Sequence, residues 1–324
     1  MNSTTRAHLA LAIVATIAIC GCKKADRAPA AKERDAAGDK TRPTPAAAAI
    51  DAAEIERVIG AKPSVSADGV AKVTWARAEV PVTVDGMAFP PSAGLTSWAA
   101  FQEADGAAMV MGDTVVFEDE VSAAMDAAFA HGLAITALHN HFFFDNPKVY
   151  FMHIGGHGAA TKLATGVRAM WDAVKAVRKA KPTPAKQFTG GVPKAGAIDA
   201  TKIGAIIGVK AASKPGGVVK VSIGREATMH ETKFAGSMGL TTWAAFTGSD
   251  AMAAIDGDFA MTAAEVQPVL RALRAANIHV VALHNHMIGE SPAYYFTHFW
   301  GKGSAEELAR GFRATLDAQG AVSK

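Results

Sequence analysis

The pentapeptide Ala-Leu-His-Asn-His occupies residues 137–141 and occurs a second time at residues 282–286. In each copy it ends an apolar, partly β-branched run that predicts a strand. Twelve residues after the second His of each pentapeptide comes a third one, His153 in the first copy and His298 in the second. The two triads use six of the eleven histidines of the chain. A duplicated His motif is therefore the feature around which this sequence is organised.

The three histidines of each copy are predicted to share one face of a β-hairpin. Because side chains alternate along a strand, His139 and His141 point to one face and Asn140 to the other. His153 lies on a second, aromatic-rich strand, and the spacing has the parity that brings it to the face of the first two. The equivalent residues of the second copy are His284, His286 and His298.

Three facing imidazoles are typical of a site for zinc or another divalent transition metal, with one position left for water or a substrate. Histidines that merely pack or hydrogen-bond, and metal-free acid–base chemistry, are the alternatives. Asp145 and Glu290 occupy equivalent loop positions just after the His pairs and are the candidates for a fourth ligand. Asp113 and Asp258 follow Gly at predicted strand ends, where a turn role is favoured over ligation.

Two further equivalent carboxylates, Glu120 and Glu265, lie on the first turn of a predicted central helix. In the second copy Thr262 and Glu265 have the spacing of a capping box, which explains the Glu structurally. Phe117 stands in the position of Thr262 in the first copy, so the box cannot form there. Both carboxylates remain candidate catalytic bases if they face the His clusters.

The duplication covers everything after residue 50. Gly-Leu-Thr-Ser-Trp-Ala-Ala-Phe at residues 94–101 returns as Gly-Leu-Thr-Thr-Trp-Ala-Ala-Phe at 239–246, and the offset of 145 residues also relates the His motifs. We expect a first repeat domain at 50–180, a linker rich in Pro and Gly at 181–197 and a second repeat domain at 198–324. The order of predicted strands and helices indicates an α+β fold. Each of the two homologous tandem domains would be an antiparallel sheet with helices on one face, and a ferredoxin-like topology fits that order.

Residues 1–22 have the features of a bacterial lipoprotein signal peptide. An apolar stretch follows Arg6, and Ile19-Cys20-Gly21-Cys22 ends it with an aliphatic residue, two small residues and the Cys to be acylated. Residues 23–49 are rich in Ala, charged residues and Pro and are predicted to be a disordered tether. An exported protein attached through Cys22 to the bacterial cell membrane or outer membrane is expected.

Composition excludes several classes of function. The chain has two Cys, both near the lipidation site, so no disulfide framework, thiolate nucleophile or Cys metal ligand is expected in the folded part. The net charge is only +3 and the basic residues are dispersed, which argues against a nucleic-acid partner. The expected partners are the membrane, through the lipid anchor, and a small-molecule or envelope ligand.

The second copy combines Gly257-Asp258, Glu265-Val266, the pentapeptide at 282–286 and the aromatic segment 296–301. This combination, with its first-copy equivalents, resembles the LppY/LpqO family of bacterial lipoproteins. The resemblance covers nearly all of the chain after the tether. It implies attachment to the envelope and a two-copy architecture, and it supplies no catalytic residues, because the family's domain has no assigned function. The first copy departs at Gly155, where the second has Trp300.

Three functions follow as hypotheses. The first is a lipid-anchored envelope protein with a His-rich transition-metal site in each repeat. The second is a metal-dependent hydrolase of the cell envelope that uses Glu120 or Glu265 as base. The third is a structural or interaction lipoprotein in which the histidines bind no metal.

Overall fold

The computed structural model describes residues 50–322 of the chain. The predicted signal peptide, Cys22 and the tether lie outside the described residues. Three helices belong to the first copy: α1 (Ala52–Ile59), α2 (Val121–Ala130) and α3 (Ala160–Ala180). Its strands are β1 (Ser64–Val65), β2 (Ala71–Ala76), β3 (Thr83–Val84), β4 (Met87–Ala88), β5 (Thr96–Ala104), β6 (Ala107–Phe117), β7 (Ala134–His139), β8 (Asp145–Asn146) and β9 (Val149–Gly158).

The second copy repeats this order of the main elements. Its helices are α4 (Ala200–Ile207), α5 (Ala263–Ala275) and α6 (Ala305–Val322). Its strands are β10 (Ala212–Lys214), β11 (Val218–Gly224), β12 (Glu226–Met229), β13 (Thr232–Ala235), β14 (Thr241–Gly248), β15 (Ala253–Met261), β16 (His279–His284) and β17 (Tyr295–Gly303). The predicted α+β class is confirmed.

The short helix that opens each copy shows how local sequence sets its bounds. The Asp51 carboxylate accepts hydrogen bonds from the backbone N–H groups of residues 53 and 54, and Asp199 does the same in the second copy. Gly60 and Gly208 end the two helices with φ angles of 77° and 76°, a conformation that a side chain would disfavour. A cap at one end and a stop signal at the other thus set the bounds of both helices.

Both copies contribute to one continuous sheet of 12 strands, in the order β1-β2-β5-β6-β9-β7-β16-β17-β15-β14-β11-β10, and every pair in it is antiparallel. Within each half, a helix connects two strands that have a third strand between them. In the first copy these are β6, α2 and β7, with β9 in the middle. This split β-α-β unit also occurs in ferredoxin-like domains. Here the outer strand beside β6 is β5, which precedes it in the chain.

The two halves of the sheet join at a seam between β7 and β16. Leu138 pairs there with Leu283, its own equivalent in the second copy. Next to this pair, the Gln267 side chain from α5 accepts from the Ile135 N–H at 3.1 Å and donates to the Ile135 carbonyl at 2.7 Å. The side-chain amide of Gln267 thus provides the hydrogen bonds that a partner strand would otherwise provide to Ile135. It does so where the pairing between β7 and β16 stops.

One face of the sheet is covered by the helices. All six helices place buried apolar residues in a single core cluster, which also includes Met152 and Ile154 from β9. His153 lies between these two core residues, so alternation directs it to the opposite face. Two smaller apolar clusters lie on that opposite face, around Phe151 in the first copy and Phe296 in the second. The His motifs therefore share the face without helices.

Candidate metal centre

A β-bulge decides which way the His motif of the second copy points. Val280 and Leu283 are both buried in the helix-side core, which strict alternation over three residues would not allow. The register shifts between Val280 and Ala282, and this extra residue resets the alternation. His284 consequently lies on the face without helices. The first copy has the same shift between Ile135 and Ala137.

The second-copy histidines converge on a buried carboxylate. Asp258 on β15 is the direct cross-strand neighbour of His298 on β17. One potential ligand atom from each of Asp258, His284, His286 and His298 lies within 4.8 Å of the others. The His286 Nε2 is 3.1 Å from the His284 Nε2 and 3.3 Å from the Asp258 Oδ2. Two ring nitrogens and a carboxylate oxygen at such distances match the spacing of ligand atoms around one ion with bonds of about 2 Å.

A backbone contact fixes the orientation of the third imidazole. The His298 Nδ1 lies 3.2 Å from the Gly257 carbonyl oxygen, so the Nδ1–H donates to it and the Nε2 keeps its lone pair. Metal-ligating histidines commonly hold their second nitrogen in this way. Gly257 itself is closely enclosed: a Cβ at this position would come within 2.3 Å of the Trp243 carbonyl oxygen.

Burial makes the charges in this cluster costly. Asp258 is only 1% exposed, and burial raises the pKa of its carboxyl to about 6, an effect that His298 partly offsets. Burial also lowers the pKa of His284 to about 4, aided by His298 and His286. Within the described part of the chain, the Asp258 Oδ1 and the His284 Nδ1 are buried without a hydrogen-bond partner. Neutral imidazoles and an unpartnered buried carboxylate oxygen are groups that a cation would stabilise.

The first-copy cluster has the same members in a looser arrangement. The ring centroids of His139 lie 5.1 Å from those of His141 and of His153. The His153 Nε2 is 3.8 Å from the Asp113 Oδ2, and burial raises the pKa of that carboxyl. Asp113 faces His153 across the strands, as Asp258 faces His298. Among the described residues, only the second-copy group brings four ligand atoms within 4.8 Å of one another.

The two carboxylates expected as fourth ligands have hydrogen-bond partners in their own loops. The Asp145 carboxylate accepts from the Val149 N–H at 2.7 Å and pairs with the Lys148 ammonium at 2.8 Å. Glu290 accepts from the Tyr294 N–H at 2.8 Å and is not a member of the four-residue group. Both carboxylates thus hydrogen-bond to backbone N–H groups at the ends of their own loops. Asp113 and Asp258 lie within strands rather than in the expected turns, and Asp258 supplies the carboxylate of the cluster.

Glu120 and Glu265 are engaged in ion pairs with arginines, which are buried for Glu120 and partly buried for Glu265. Glu120 is fully buried and is held by Arg77 at 3.0 Å and by Arg178 at 2.7 Å. Glu265 pairs with Arg225 at 2.9 Å, and it accepts from the Thr262 N–H at 2.8 Å, as the capping box requires.

In the first copy, the Phe117 N–H also donates to Glu120, at 2.9 Å. Half of the capping box therefore forms despite Phe117, because this half requires only a backbone donor.

Phenylalanine rings support the exposed histidines of both clusters. His141 stacks on Phe151 with ring centroids 3.3 Å apart, and His286 stacks on Phe296 at 3.5 Å. The aromatic strand residues that accompany each third His in the sequence therefore have a local role. The sequence predicted their strand but not this stacking.

No helix among residues 50–322 is both long and apolar enough to cross a membrane.

None of the curated proteins matches the chain. Among solved structures, EutL from Clostridium perfringens is 12% identical, with 67% of this chain and 81% of that chain covered and a TM-score of 0.19. EtuB from Clostridium kluyveri is 11% identical, with 80% and 92% covered and a TM-score of 0.21. TM-scores this low support no conclusion about the present chain.

The family comparison covers most of the described chain. One family model matches it twice, over residues 53–173 and again over residues 201–318, in agreement with the duplication found in the sequence. The chain therefore belongs to the family described as Domain of Unknown Function (DUF1259), whose domain it contains in two copies.

Proposed function

We propose that this protein is a lipid-anchored envelope protein that binds a transition metal ion in its second copy, with a related and weaker site in the first. The observation that carries the proposal is the four-residue group of Asp258, His284, His286 and His298. The resemblance of the sequence to the LppY/LpqO lipoproteins supports the envelope location. The signal-like residues that end in Cys22 support it too.

The set of ligand atoms favours zinc over the hard divalent cations. Three imidazole nitrogens and one carboxylate oxygen suit zinc or copper, whereas calcium and magnesium take mainly oxygen ligands. A four-ligand site of this kind is complete for a structural or carrier role. If the carboxylate yields its position to water or to another ligand, the three histidines still hold the ion.

The structural alternative also rests on a specific observation. His141 and His286 stack closely on Phe151 and Phe296, which is how imidazoles pack when they only stabilise a sheet face. In that case each histidine would contribute to stability with or without metal. The two functions therefore make different predictions for the same variant.

The hydrolase alternative receives less support from the geometry. Its candidate bases, Glu120 and Glu265, are engaged by arginines, in buried pairs for Glu120 and in a partly buried pair for Glu265. A carboxylate whose oxygens already accept hydrogen bonds from guanidinium groups is less available to take a proton from water. A hydrolytic activity would therefore need another base, such as the cluster carboxylate itself.

Thermal unfolding tests the metal proposal. Wild type, His286→Ala and the matched first-copy variant His141→Ala are compared with added zinc and with chelator. A ligand that binds only the folded state stabilises it by about 2.7 kcal/mol at one hundred times its dissociation constant. We expect a large zinc-dependent rise in melting temperature for wild type and for His141→Ala, and little or none for His286→Ala. Equal melting temperatures of wild type in zinc and in chelator would leave the structural alternative as the function of the cluster.

The anchor is tested separately. Cys22→Ala should move the protein from the membrane fraction to the soluble fraction, because no described helix can hold it in a bilayer. Cys20→Ala is the matched control and should leave the protein in the membrane fraction. Retention of the Cys22→Ala variant in membranes after a high-salt wash would contradict the proposed anchor.

A further inference from the structure

A cavity of about 490 Å³ lies where the linker between the two copies passes over their junction. The start of α2 and Tyr150 of β9 border it on the first-copy side, and β16 and β17 border it on the second-copy side. Linker residues 185–188 close part of its rim. A volume of this size is within the range of small-molecule sites in proteins. None of the six cluster histidines lines it.

The linker is fixed over the cavity at two points. At one, the Ala185 N–H donates to the Asp119 carboxylate at 3.0 Å. At the other, the Lys302 ammonium donates to the Phe188 carbonyl at 3.1 Å. The Phe188 ring stacks on His279 with centroids 3.7 Å apart and planes within 6° of parallel. The linker is therefore held in place by specific contacts and forms one wall of the cavity.

The walls of the cavity are mainly apolar and aromatic. Tyr150, Phe188 and Trp300 contribute one ring each, from the first copy, the linker and the second copy respectively. The first-copy equivalent of Trp300 is Gly155, so this ring is a feature of the second copy alone. Three rings around one volume are suited to a flat aromatic molecule, which gains offset-stacked and edge contacts from them.

The polar groups of the cavity indicate a hydrogen-bond donor on the ligand. Asp119 lines the cavity, and one of its oxygens accepts from Arg178 at 2.6 Å and from the Ala185 N–H. Its other oxygen, Oδ1, is buried and has no hydrogen-bond partner among the described residues. A buried acceptor without a partner costs free energy, which a donor on a bound molecule would recover.

The charges around the cavity do not select a strongly ionic ligand. Two carboxylates, Glu118 and Asp119, and two ammonium groups, Lys186 and Lys302, line it and balance one another. The Ser122 Oγ and the His279 Nδ1 hydrogen-bond to each other at 2.8 Å, so this pair is satisfied within the protein. Among the charged groups that line the cavity, Asp119 is the one with a buried oxygen that has no hydrogen-bond partner.

We propose that this cavity is a binding site for a small aromatic molecule that carries a hydrogen-bond donor beside its ring, such as an aryl amine or a phenol. The aromatic walls hold the ring, and the Asp119 Oδ1 accepts from the donor. The proposal is independent of metal at the His clusters, because the cavity lies at the linker and shares no residue with them.

Fluorescence titration with N-phenyl-naphthylamine tests the proposal. This probe is an aryl amine that becomes bright in apolar surroundings. The titration uses the full chain with Cys22→Ala, so that no acyl chain competes for the probe. Val281 lines the cavity, and Val281→Trp should fill it. Thr136→Trp, which places the same new residue at the equivalent exposed position of the first copy, is the matched control.

The proposal expects saturable binding that Val281→Trp weakens at least tenfold and Thr136→Trp leaves unchanged, with equal melting temperatures of the three proteins. If Val281→Trp destabilises the fold, Trp300→Gly takes its place, since it installs the first-copy residue and removes one aromatic wall. Competition by diphenylamine should be about fivefold stronger than competition by diphenylmethane, which lacks the donor. Absence of saturable binding, or equal affinity of wild type and the variant, overturns the site. Equal competition by the two compounds overturns the role of Asp119.

Discussion

Asp258 combines three properties that single it out within the second cluster. It is buried, one of its oxygens has no hydrogen-bond partner among the described residues, and it is the cross-strand neighbour of His298. Glu290 was the expected ligand because it follows the His pair in the sequence. The loop instead uses that carboxylate to accept from the Tyr294 N–H. Substituting Asp258 and Glu290 in turn therefore tests which of the two carboxylates binds the metal.

Asp258→Asn should lower the affinity for zinc, because an amide oxygen is a weaker zinc ligand than a carboxylate. Loss of groups outside the ligand shell typically costs 10–100-fold in metal affinity. We therefore expect a loss of at least about tenfold here, measured by competition with a chromogenic chelator. Glu290→Gln is the control and should retain the affinity of wild type. A larger effect of Glu290→Gln than of Asp258→Asn would return the fourth-ligand role to the loop.

His279 should make stability depend on pH. Burial is the main cause that lowers its pKa to about 4, and the nearby Arg274 adds to the effect. An unfolded His has a pKa near 6.5, so the unfolded chain takes up the proton first as the pH falls. His279 therefore leaves the stability of the fold unchanged above about pH 6.5. It lowers that stability progressively as the pH falls from about 6.5 towards 4.

The melting temperature of wild type, measured in chelator, should thus fall more steeply over this range than that of His279→Gln. The exposed His157 provides the control, since His157→Gln should follow the wild-type curve. Parallel curves for wild type and His279→Gln would contradict the assignment.

Glu120 connects the end of β6, the start of α2 and the end of α3. It accepts from the Phe117 N–H and pairs with Arg77 and Arg178, all in the interior. Removing one partner of a buried ion pair leaves an uncompensated charge, which typically costs about 3–5 kcal/mol. Glu120 is therefore a structural carboxylate in this geometry.

Glu120→Ala should destabilise the protein by about 3–5 kcal/mol, because it leaves two buried guanidinium groups without their carboxylate. The free energy of unfolding in urea measures this effect. Glu118→Ala, two residues earlier at an exposed position, should change it by less than about 1 kcal/mol. A loss for Glu120→Ala as small as that for Glu118→Ala would mean that the arginines find other partners.

Much of the element order was predictable from the sequence, and the reasons differ from element to element. The helices at 52–59 and 200–207 have cap and stop residues at both ends, so their bounds follow from local chemistry. The His-bearing strands were also predicted. The bulges at 135–137 and 280–282 were not, because a register shift depends on the partner strand.

The carboxylate of the cluster could not be found from its position in the chain. Asp258 precedes His284 by a whole helix and comes close only when β15 pairs with β17. The Asp145 and Glu290 positions were attractive because they are close in sequence to the histidines. Proximity along the chain is a weak guide in an antiparallel sheet, where direct neighbours are set by register.

The two copies share one sheet and one core. The Gln267 side chain replaces a strand partner for Ile135, and Arg274 pairs with Asp126 of the first copy at 2.9 Å. The main core cluster contains residues of both halves. A copy taken alone would expose the seam strand and the apolar residues beside it.

A fragment that contains residues 198–324 should therefore self-associate, because its β16 edge can pair with another copy of itself. Sedimentation velocity over a range of concentrations measures this. We expect a dimer at concentrations where the full chain shows no concentration-dependent change. A fragment that stays monomeric, and unfolds as cooperatively as the full chain, would show that the seam contributes little.

The pairing of Leu138 with Leu283 joins equivalent positions in an antiparallel manner, as in the isologous interface of a symmetric homodimer. The chain thus corresponds to such a dimer with its two subunits fused. In a true homodimer, every substitution appears on both sides of the symmetry axis. Fusion removes that constraint, so that one half can carry Trp300 while the other keeps Gly155. One cluster can also tighten while its counterpart stays open, and the fused chain can develop two different sites from one ancestral pair.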